Sequence, residues 1–363
     1  MTLDYQRLRS WPFGVIEHAY TEKDTILYAL GVGLGMDPLD ERQLRFVCEE
    51  NLVAMPTQAV VLGFPGFWAK HPDSTIDWVR LLLGAHSLRI HRPLQPRGVV
   101  IAHNAVTRVI DKGAGKAALV VTERQLLEKG SGELLATLEQ LSFCRGDGGY
   151  SMPGAAHPAG QPSDPPLPDP PAVPDGAPDL ICDLATRPEA ALLYRLSGDL
   201  NPLHADPQIA AAAGFPRPIL HGLATYGVAC HAILRSCCDY RPERLTALSA
   251  RFASPVYPGE TIRTEIWLRE GHALFRAHVV ERDVVVLGNG RVHSREEVVG
   301  SSKKGVITYQ RQAIVPGTQS VRLYGRDTAT VTAQLRLTGK RNDNAASFDF
   351  KLWYTDTYVR TAE

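Results

Sequence analysis

Two short segments in the second half of the chain carry residue types that could do acid–base chemistry. The first, SGDLNPLH (residues 197–204), places Asp199 and His204 five positions apart across Pro202. Gly198 permits backbone conformations that other residues avoid, and Pro202 stiffens the turn, so the loop can hold a carboxylate and an imidazole on one side. A loop that leads into a helix, with Asp199 or Asn201 as the helix cap, would explain the same residues. This segment alone therefore does not distinguish a catalytic loop from a structural one.

The second segment, PRPILHGLATYG (residues 216–227), begins an apolar helix at a His-Gly pair. Gly222 would leave a backbone N–H free at the positive end of the helix dipole, with no side chain in front of it. An acid, an imidazole and such a donor can together add water across a double bond conjugated to a carbonyl. The acid–base pair positions and polarises water, and the donor stabilises the negative charge that develops on the carbonyl oxygen.

Other candidate motifs indicate turns and packed side chains rather than phosphate or metal sites. YALGVGLG (28–35) has G-x-G-x-G spacing, which indicates a turn, and DKGAGK (111–116) lacks residues that a phosphate loop needs, which indicates a hairpin. His86, His91 and His103 have no acidic partner at metal-ligand spacing. The six cysteines form no CxxC pair or Cys/His cluster, so we expect free thiols and no metal site. These cysteines are Cys48, Cys144, Cys182, Cys230, Cys237 and Cys238.

The overall composition excludes several classes of protein. The 363 residues include 39 basic and 39 acidic side chains, which argues against an electrostatic nucleic-acid binder. No apolar stretch approaches the roughly 20 residues of a membrane span, and the first residues show no apolar leader segment. We therefore expect a cytoplasmic protein that binds neither nucleic acid nor a membrane.

Composition also divides the chain into parts. Prolines crowd residues 151–179 and predict an extended linker over 149–179. We expect an N-terminal domain over 1–148, a second domain over 180–297 and a β-rich tail over 298–363. The N-terminal domain and the second domain share a weak sequence repeat, in which Pro/Gly-rich turns are followed by long strands. In the second domain an apolar helix precedes these strands. This pattern predicts an α+β fold with two repeats, each consisting of a sheet that wraps around a helix.

The segment YRLSGDLNPLHADPQIAAAAGFPRPILHGLATYG (194–227) resembles the hydratase 2 signature of the MaoC-like (R)-specific enoyl-CoA hydratases. YTEKDTILYALGVG, CEENLVAMPT, RPLQPRG and DKGAGK resemble the N-terminal half of the two-repeat, eukaryote-like type. FASPVYPGETIRTE resembles the C-terminal half. The resemblance covers residues 1–297 and implies a double hotdog fold, two antiparallel sheets each with a central helix.

The resemblance also implies roles for particular residues. Asp199 and His204 match the catalytic pair, Asn201 matches a supporting polar residue, and Gly222 matches the glycine whose N–H faces the thioester oxygen. The implied reaction is reversible syn hydration of trans-2-enoyl-CoA to (R)-3-hydroxyacyl-CoA, with an acyl-CoA substrate, no metal and no other cofactor. We also expect a homodimer.

Two regions depart from the family pattern. Where relatives often carry Leu-His-Gly-Glu-Gln, this chain has LLGAHS (82–87), so Leu83 and Ala85 replace a His and a Glu. In the family the N-terminal half houses the acyl chain, so we expect this change to affect substrate range more than activity. The tail resembles the terminal sheet of NTF2-like (SnoaL-like) domains without their helices, and we expect a packing or dimer-contact role for it.

Two alternatives to hydration remain open at this point. The same chemistry could dehydrate a branched, dicarboxylic or sterol side-chain 3-hydroxyacyl-CoA. A non-catalytic acyl-CoA-binding or scaffold protein is the other possibility, although a binder has no need of an acid–base pair.

Overall fold

The computed structural model describes residues 2–154 and 157–294 in full, and the backbone of four further strands between 307 and 359. The chain divides into two compact units, Met1–Val299 and Gly300–Glu363. Among the described residues, no helix is long and apolar enough to cross a membrane.

The first unit contains six α-helices and ten strands within its described residues. The helices are α1 Tyr5–Arg9, α2 Glu22–Gly31, α3 Glu41–Leu44, α4 Ala190–Tyr194, α5 Pro207–Ala212 and α6 Gly222–Cys237. The strands are β1 Val15–Tyr20, β2 Leu81–Ile90, β3 Gly98–Asp111, β4 Ala118–Glu128, β5 Leu134–Cys144, β6 Leu180–Ala185, β7 Leu245–Phe252, β8 Thr261–Arg269, β9 His272–Val279 and β10 Val284–Ser294.

The ten strands form one antiparallel sheet in the order β1-β3-β4-β5-β2-β7-β10-β9-β8-β6. Five come from each half of the sequence, as expected for the double hotdog. The halves join edge to edge where β2 pairs with β7, from Ala85 opposite Arg251 to Arg89 opposite Ala247. The two predicted sheets are therefore continuous, and β2 lies next to the C-terminal half.

The helices that cover the two half-sheets differ. In the C-terminal half, α6 is apolar on nearly every side, and it packs on β6, β7, β8 and β10. In the N-terminal half the covering elements are the shorter α2 and a 3₁₀ turn, Pro56–Val60, which packs on β2 and β5. Thr21 and Asp24 form a capping box that starts α2.

The glycine-rich segment 28–35 is only partly the turn that its spacing indicates. Tyr28 to Gly31 form the last turn of α2, and the turn itself follows. A Cβ on Gly227 of α6 would lie 2.5 Å from Val32, so the absent side chain lets the two helical segments pack closely. The segment is therefore a packing element in the core.

The proline-rich linker contacts both halves of the first unit. Asp164 accepts a 2.7 Å hydrogen bond from the backbone N–H of Val109, and the Trp267 indole donates to the Gly176 carbonyl at 2.9 Å. Because the halves share one sheet, the domain boundaries proposed from composition stay predictions.

The second unit contains four described strands, β11 Ile307–Ile314, β12 Ser320–Tyr324, β13 Thr328–Arg341 and β14 Ser347–Val359. β13 pairs antiparallel with each of the other three. The β-rich tail is thus present, while its NTF2-like character and its role stay predictions, and the loops of the tail lie outside the described residues.

Candidate active site

The loop between α4 and α5 holds Asp199 in a tight turn. Gly198 has φ of +122°, a conformation that strongly favours glycine. Asp199 is half-buried, and its Oδ1 accepts a 3.2 Å hydrogen bond from the Asn201 N–H. Asn201 Oδ1 in turn accepts from the Leu203 N–H at 3.1 Å. Both side chains therefore stabilise the turn, and the Asp199 carboxylate keeps acceptor capacity for a ligand.

His204 ends the 3₁₀ turn Pro202–His204, with 8 % of its surface exposed. Its Nδ1 lies 2.8 Å from the carbonyl oxygen of Ile219. Because a carbonyl only accepts, Nδ1 carries the hydrogen and Nε2 of the neutral ring keeps a lone pair. Burial lowers the pKa of His204, and the Ile219 carbonyl and Asp199 oppose that shift. The ring is therefore set up to accept a proton at Nε2.

His221 is a third member of the site, which the sequence analysis did not select. It is the residue before α6, is 1 % exposed, and donates from Nε2 to the backbone carbonyl of Asp199 at 3.1 Å. Its ring stacks on His204 with centroids 3.7 Å apart and planes 28° apart. Burial, and next the neighbouring His204, lower its pKa to about 4. A neutral His221 therefore ties the loop to the helix start.

The three side chains converge on a small volume. One donor atom each of Asp199, His204 and His221 lies within 4.8 Å of the others, and among the described residues this is the one such group of three. The group has the donor types of a metal site, so the expectation that the chemistry needs no metal stays a prediction.

Gly222 begins α6 beside this group. The first intrahelical bonds run from the N–H groups of Ala224 and Thr225 to the His221 carbonyl, at 3.0 and 3.1 Å. The Gly222 N–H precedes them and has no place in the helical ladder. A Cβ here would lie 3.3 Å from the Phe252 ring and 3.5 Å from Leu83. Glycine thus leaves space next to a free donor at the positive end of a 16-residue helix.

Leu83 contributes to the site from the N-terminal half. It lies on β2, just before the bulge at Gly84, and borders the space in front of Gly222. The departure from the family pattern at Leu83 therefore borders the start of α6, although Leu83 belongs to the N-terminal half.

Asn201 is brought near the group but is exposed. The hydrogen bond of its side chain goes to the Leu203 N–H in the same turn. Its supporting role in catalysis stays a prediction.

The geometry brings together two potential proton acceptors, Asp199 and His204, with His221, the residue before the helix start at Gly222. Asp199 and the Nε2 lone pair of His204 can share one water, and the Gly222 N–H can receive an oxygen that gains negative charge. The sequence made these three residues candidates because each belongs to a short local motif. The His-Gly pair was the available signal for His221.

Comparisons with known proteins show the family of the chain. The MaoC like domain family matches residues 171–289, and the MFE-2 hydratase 2 N-terminal domain family matches residues 18–146. The chain is 39 % identical over 287 residues to enoyl-CoA hydratase 2, peroxisomal, of Arabidopsis thaliana, covering 74 % of this chain and 89 % of that protein. It is 40 % identical over 283 residues to 3-hydroxyacyl-thioester dehydratase Y of Mycobacterium tuberculosis, covering 75 % of this chain and 92 % of that protein.

A solved structure extends the likeness to the fold. The crystal structure of a MaoC-like dehydratase from Phytophthora capsici superposes with a TM-score of 0.67 at 34 % identity, covering 78 % of this chain and 95 % of that one. The matches lie on both halves of the continuous sheet, which confirms the double hotdog fold.

Proposed function

Because the chain belongs to the hydratase 2 family of MaoC-like proteins, we propose that it hydrates trans-2-enoyl-CoA reversibly to (R)-3-hydroxyacyl-CoA. The observation that carries the proposal is the convergence of Asp199, His204 and His221, whose donor atoms lie within 4.8 Å of one another, at the residue that precedes Gly222 and the start of α6. Enoyl-CoA hydratase and 3-hydroxyacyl-thioester dehydratase are the two directions of one hydro-lyase reaction, and relatives carry both names.

The chemistry follows from the positions of these groups. Asp199 and His204 Nε2 hold one water and take one of its protons as its oxygen attacks C3 of the enoyl group. The electrons of the double bond move onto the thioester oxygen, where the Gly222 N–H stabilises the enolate. A proton from the same pair then reaches C2 on the same face, which completes syn addition of H and OH. Which of the two groups holds each proton is a coupled property of the pair.

His221 holds in place the loop that carries Asp199. Its Nε2–H bond to the Asp199 carbonyl fixes the loop against α6, and its stacked, neutral ring adds no positive charge beside His204. We therefore assign it a positioning role.

The proposal includes several further expectations. The substrate is an acyl-CoA, no metal or redox cofactor takes part, and the protein works as a homodimer without nucleic acid or membrane partners. A cytoplasmic location is supported by the six free cysteines, whereas the Arabidopsis relative is named peroxisomal. No observation favours the non-catalytic binder, since the relatives quoted above are named as enzymes, and none favours dehydration as a separate activity.

The test uses purified protein and crotonyl-CoA, with the loss of the conjugated thioester absorbance as the readout. We expect turnover by the wild type and a loss of at least about 10²-fold in kcat for His204→Ala, because the acid–base group is gone. His103→Ala removes an exposed histidine of β3 and serves as the matched control, with wild-type activity. A folded wild-type sample that turns over no enoyl-CoA would overturn the proposal.

A further inference from the structure

Two apolar side chains reach the start of α6 from different halves of the sheet. The position that a Cβ of Gly222 would take lies 3.3 Å from the Phe252 ring and 3.5 Å from Leu83 Cδ2. Phe252 ends β7, whereas Leu83 lies on β2 next to the bulge. Gly222, Leu83 and Phe252 are all half-buried, so a ligand can approach them from solvent. We call Leu83 and Phe252 the apolar wall.

The join between the two half-sheets brings the apolar wall together. Ala85 on β2 lies opposite Arg251 on β7. Phe252 is the residue after Arg251, and Leu83 stands two residues before Ala85, so both side chains lie where the two paired strands run on past that pair. The apolar wall is therefore fixed by the sheet rather than by a loop.

The apolar wall lies close to the backbone N–H of Gly222. A Cβ stands about 2.5 Å from the nitrogen of its own residue, so both side chains lie within about 6 Å of the Gly222 nitrogen. A thioester oxygen that accepts from this N–H lies about 3 Å from the nitrogen, and its carbonyl carbon follows at a bond length of about 1.2 Å. A substituent on the atom next to that carbon can therefore contact the apolar wall.

The direction of α6 indicates which side of the thioester meets the apolar wall. The sulfur side carries the charged nucleotide of CoA, which stays in solvent because burying unpaired charge is costly. From Gly222, α6 runs inward, and residues Ala224 to Leu234 are all buried. The Phe252 ring follows this direction, since it borders Gly222 and its centroid lies 6.5 Å from that of Tyr226, one turn further along α6. An acyl group that points away from the nucleotide therefore passes the apolar wall.

Tyr226 backs the apolar wall and is fixed in place. Its ring is fully buried, its hydroxyl donates to the Leu248 carbonyl at 2.6 Å, and the His86 ring packs edge-on against it with centroids 5.4 Å apart. Phe252 therefore has no room to retreat into the core, because a packed interior accommodates an added methyl group only with strain.

We propose that Leu83 and Phe252 determine specificity at C2 of the acyl group. They accept trans-2-enoyl-CoA thioesters that carry hydrogen at C2 and reject those that carry a methyl branch there. The inference rests on the proposed hydratase function and names its substrate class. A methyl group on C2 would meet the apolar wall next to the carbonyl that Gly222 holds, whereas an unbranched acyl group passes it.

The experiment compares tigloyl-CoA with crotonyl-CoA, which differ only in the methyl group on C2. The readout is the ratio of kcat/KM for tigloyl-CoA to kcat/KM for crotonyl-CoA, and comparing this ratio between proteins cancels the intrinsic difference in reactivity of the two substrates. Leu83→Ala shortens the apolar wall and should raise the ratio by about tenfold or more, the usual effect of one methyl group in a specificity pocket. Phe252→Leu removes the ring and should raise the ratio in the same direction.

Leu82→Ala is the matched control. Leu82 precedes Leu83 on β2, so its side chain points to the opposite face of the sheet, where it is 49 % exposed. Both kcat/KM values of Leu82→Ala should match the wild type. A substitution that only loosens the fold would lower turnover of both substrates together and leave the ratio unchanged.

The outcomes separate this inference from the proposed function. Equal ratios in the wild type, Leu83→Ala and Phe252→Leu, with crotonyl-CoA still turned over, overturn the inference alone. A rise in Leu82→Ala as large as that in Leu83→Ala overturns it as well. A folded wild type that turns over neither substrate overturns the proposed function, and the inference with it.

Discussion

The Asp199→Asn substitution separates catalysis from stability at the proposed centre. The half-buried carboxylate accepts one hydrogen bond, from the Asn201 N–H at 3.2 Å, and no described side chain forms an ion pair with it. Asparagine has nearly the same size and keeps an oxygen for that bond. We therefore expect the free energy of unfolding to change by less than about 1 kcal/mol.

The effect on turnover should be far larger. Asparagine cannot accept a proton from water, so kcat should fall by about 10² to 10⁴-fold, which corresponds to about 3–5 kcal/mol in the activation barrier. The assay is the loss of conjugated thioester absorbance at saturating crotonyl-CoA, with thermal unfolding measured on the same samples.

Asp206→Asn is the matched control. Asp206 lies seven residues further on and caps α5 by accepting from the N–H groups of Gln208 and Ile209. Asparagine caps helices about as well as aspartate, so activity and stability should both match the wild type. A folded Asp199→Asn protein that keeps more than a tenth of the wild-type kcat would refute the role of Asp199.

Two further predictions concern the start of α6. Gly222→Ala places a methyl group 3.3 Å from Phe252 and 3.5 Å from Leu83, in front of the free N–H, so kcat should fall by about 10²-fold with little change in melting temperature; full activity would contradict the donor role. His221→Phe keeps the stacked ring but removes the titrating nitrogen. The lowered pKa of His221 means that the unfolded chain binds its proton first, so its contribution to stability is complete above pH 6.5 and is lost as the pH falls towards about 4. The difference between the His221 pKa in the unfolded and the folded chain corresponds to about 3 kcal/mol of stability. The melting temperature of His221→Phe should therefore fall less steeply from pH 7 to pH 4.5 than that of the wild type. Parallel melting curves of the two proteins over this pH range would contradict the lowered pKa of His221.

The site residues proposed from the sequence are local, and their catalytic roles stay predictions. Gly198, Asp199, Pro202 and His204 belong to one short turn whose chemistry is visible in the residue types. Gly222 was found in the same way, because the helix that it begins is apolar and continuous.

What the sequence did not reveal depends on non-local pairing. His86, Gln140 and Thr122 lie side by side on neighbouring strands only because of the strand register, since they are scattered along the sequence. Leu83 borders Gly222 because β2 pairs with β7 and joins the two half-sheets, a contact between residues far apart in the chain. His221 is informative through its stack on His204, and no spacing rule specifies such a stack.

The product that the wild-type protein forms from crotonyl-CoA and water is the most direct test of the central claim. Chiral analysis of the 3-hydroxy acid released from its thioester should give the (R) configuration, as proposed from membership of the hydratase 2 family. A product of (S) configuration, or no 3-hydroxy product from a folded sample, would contradict the account.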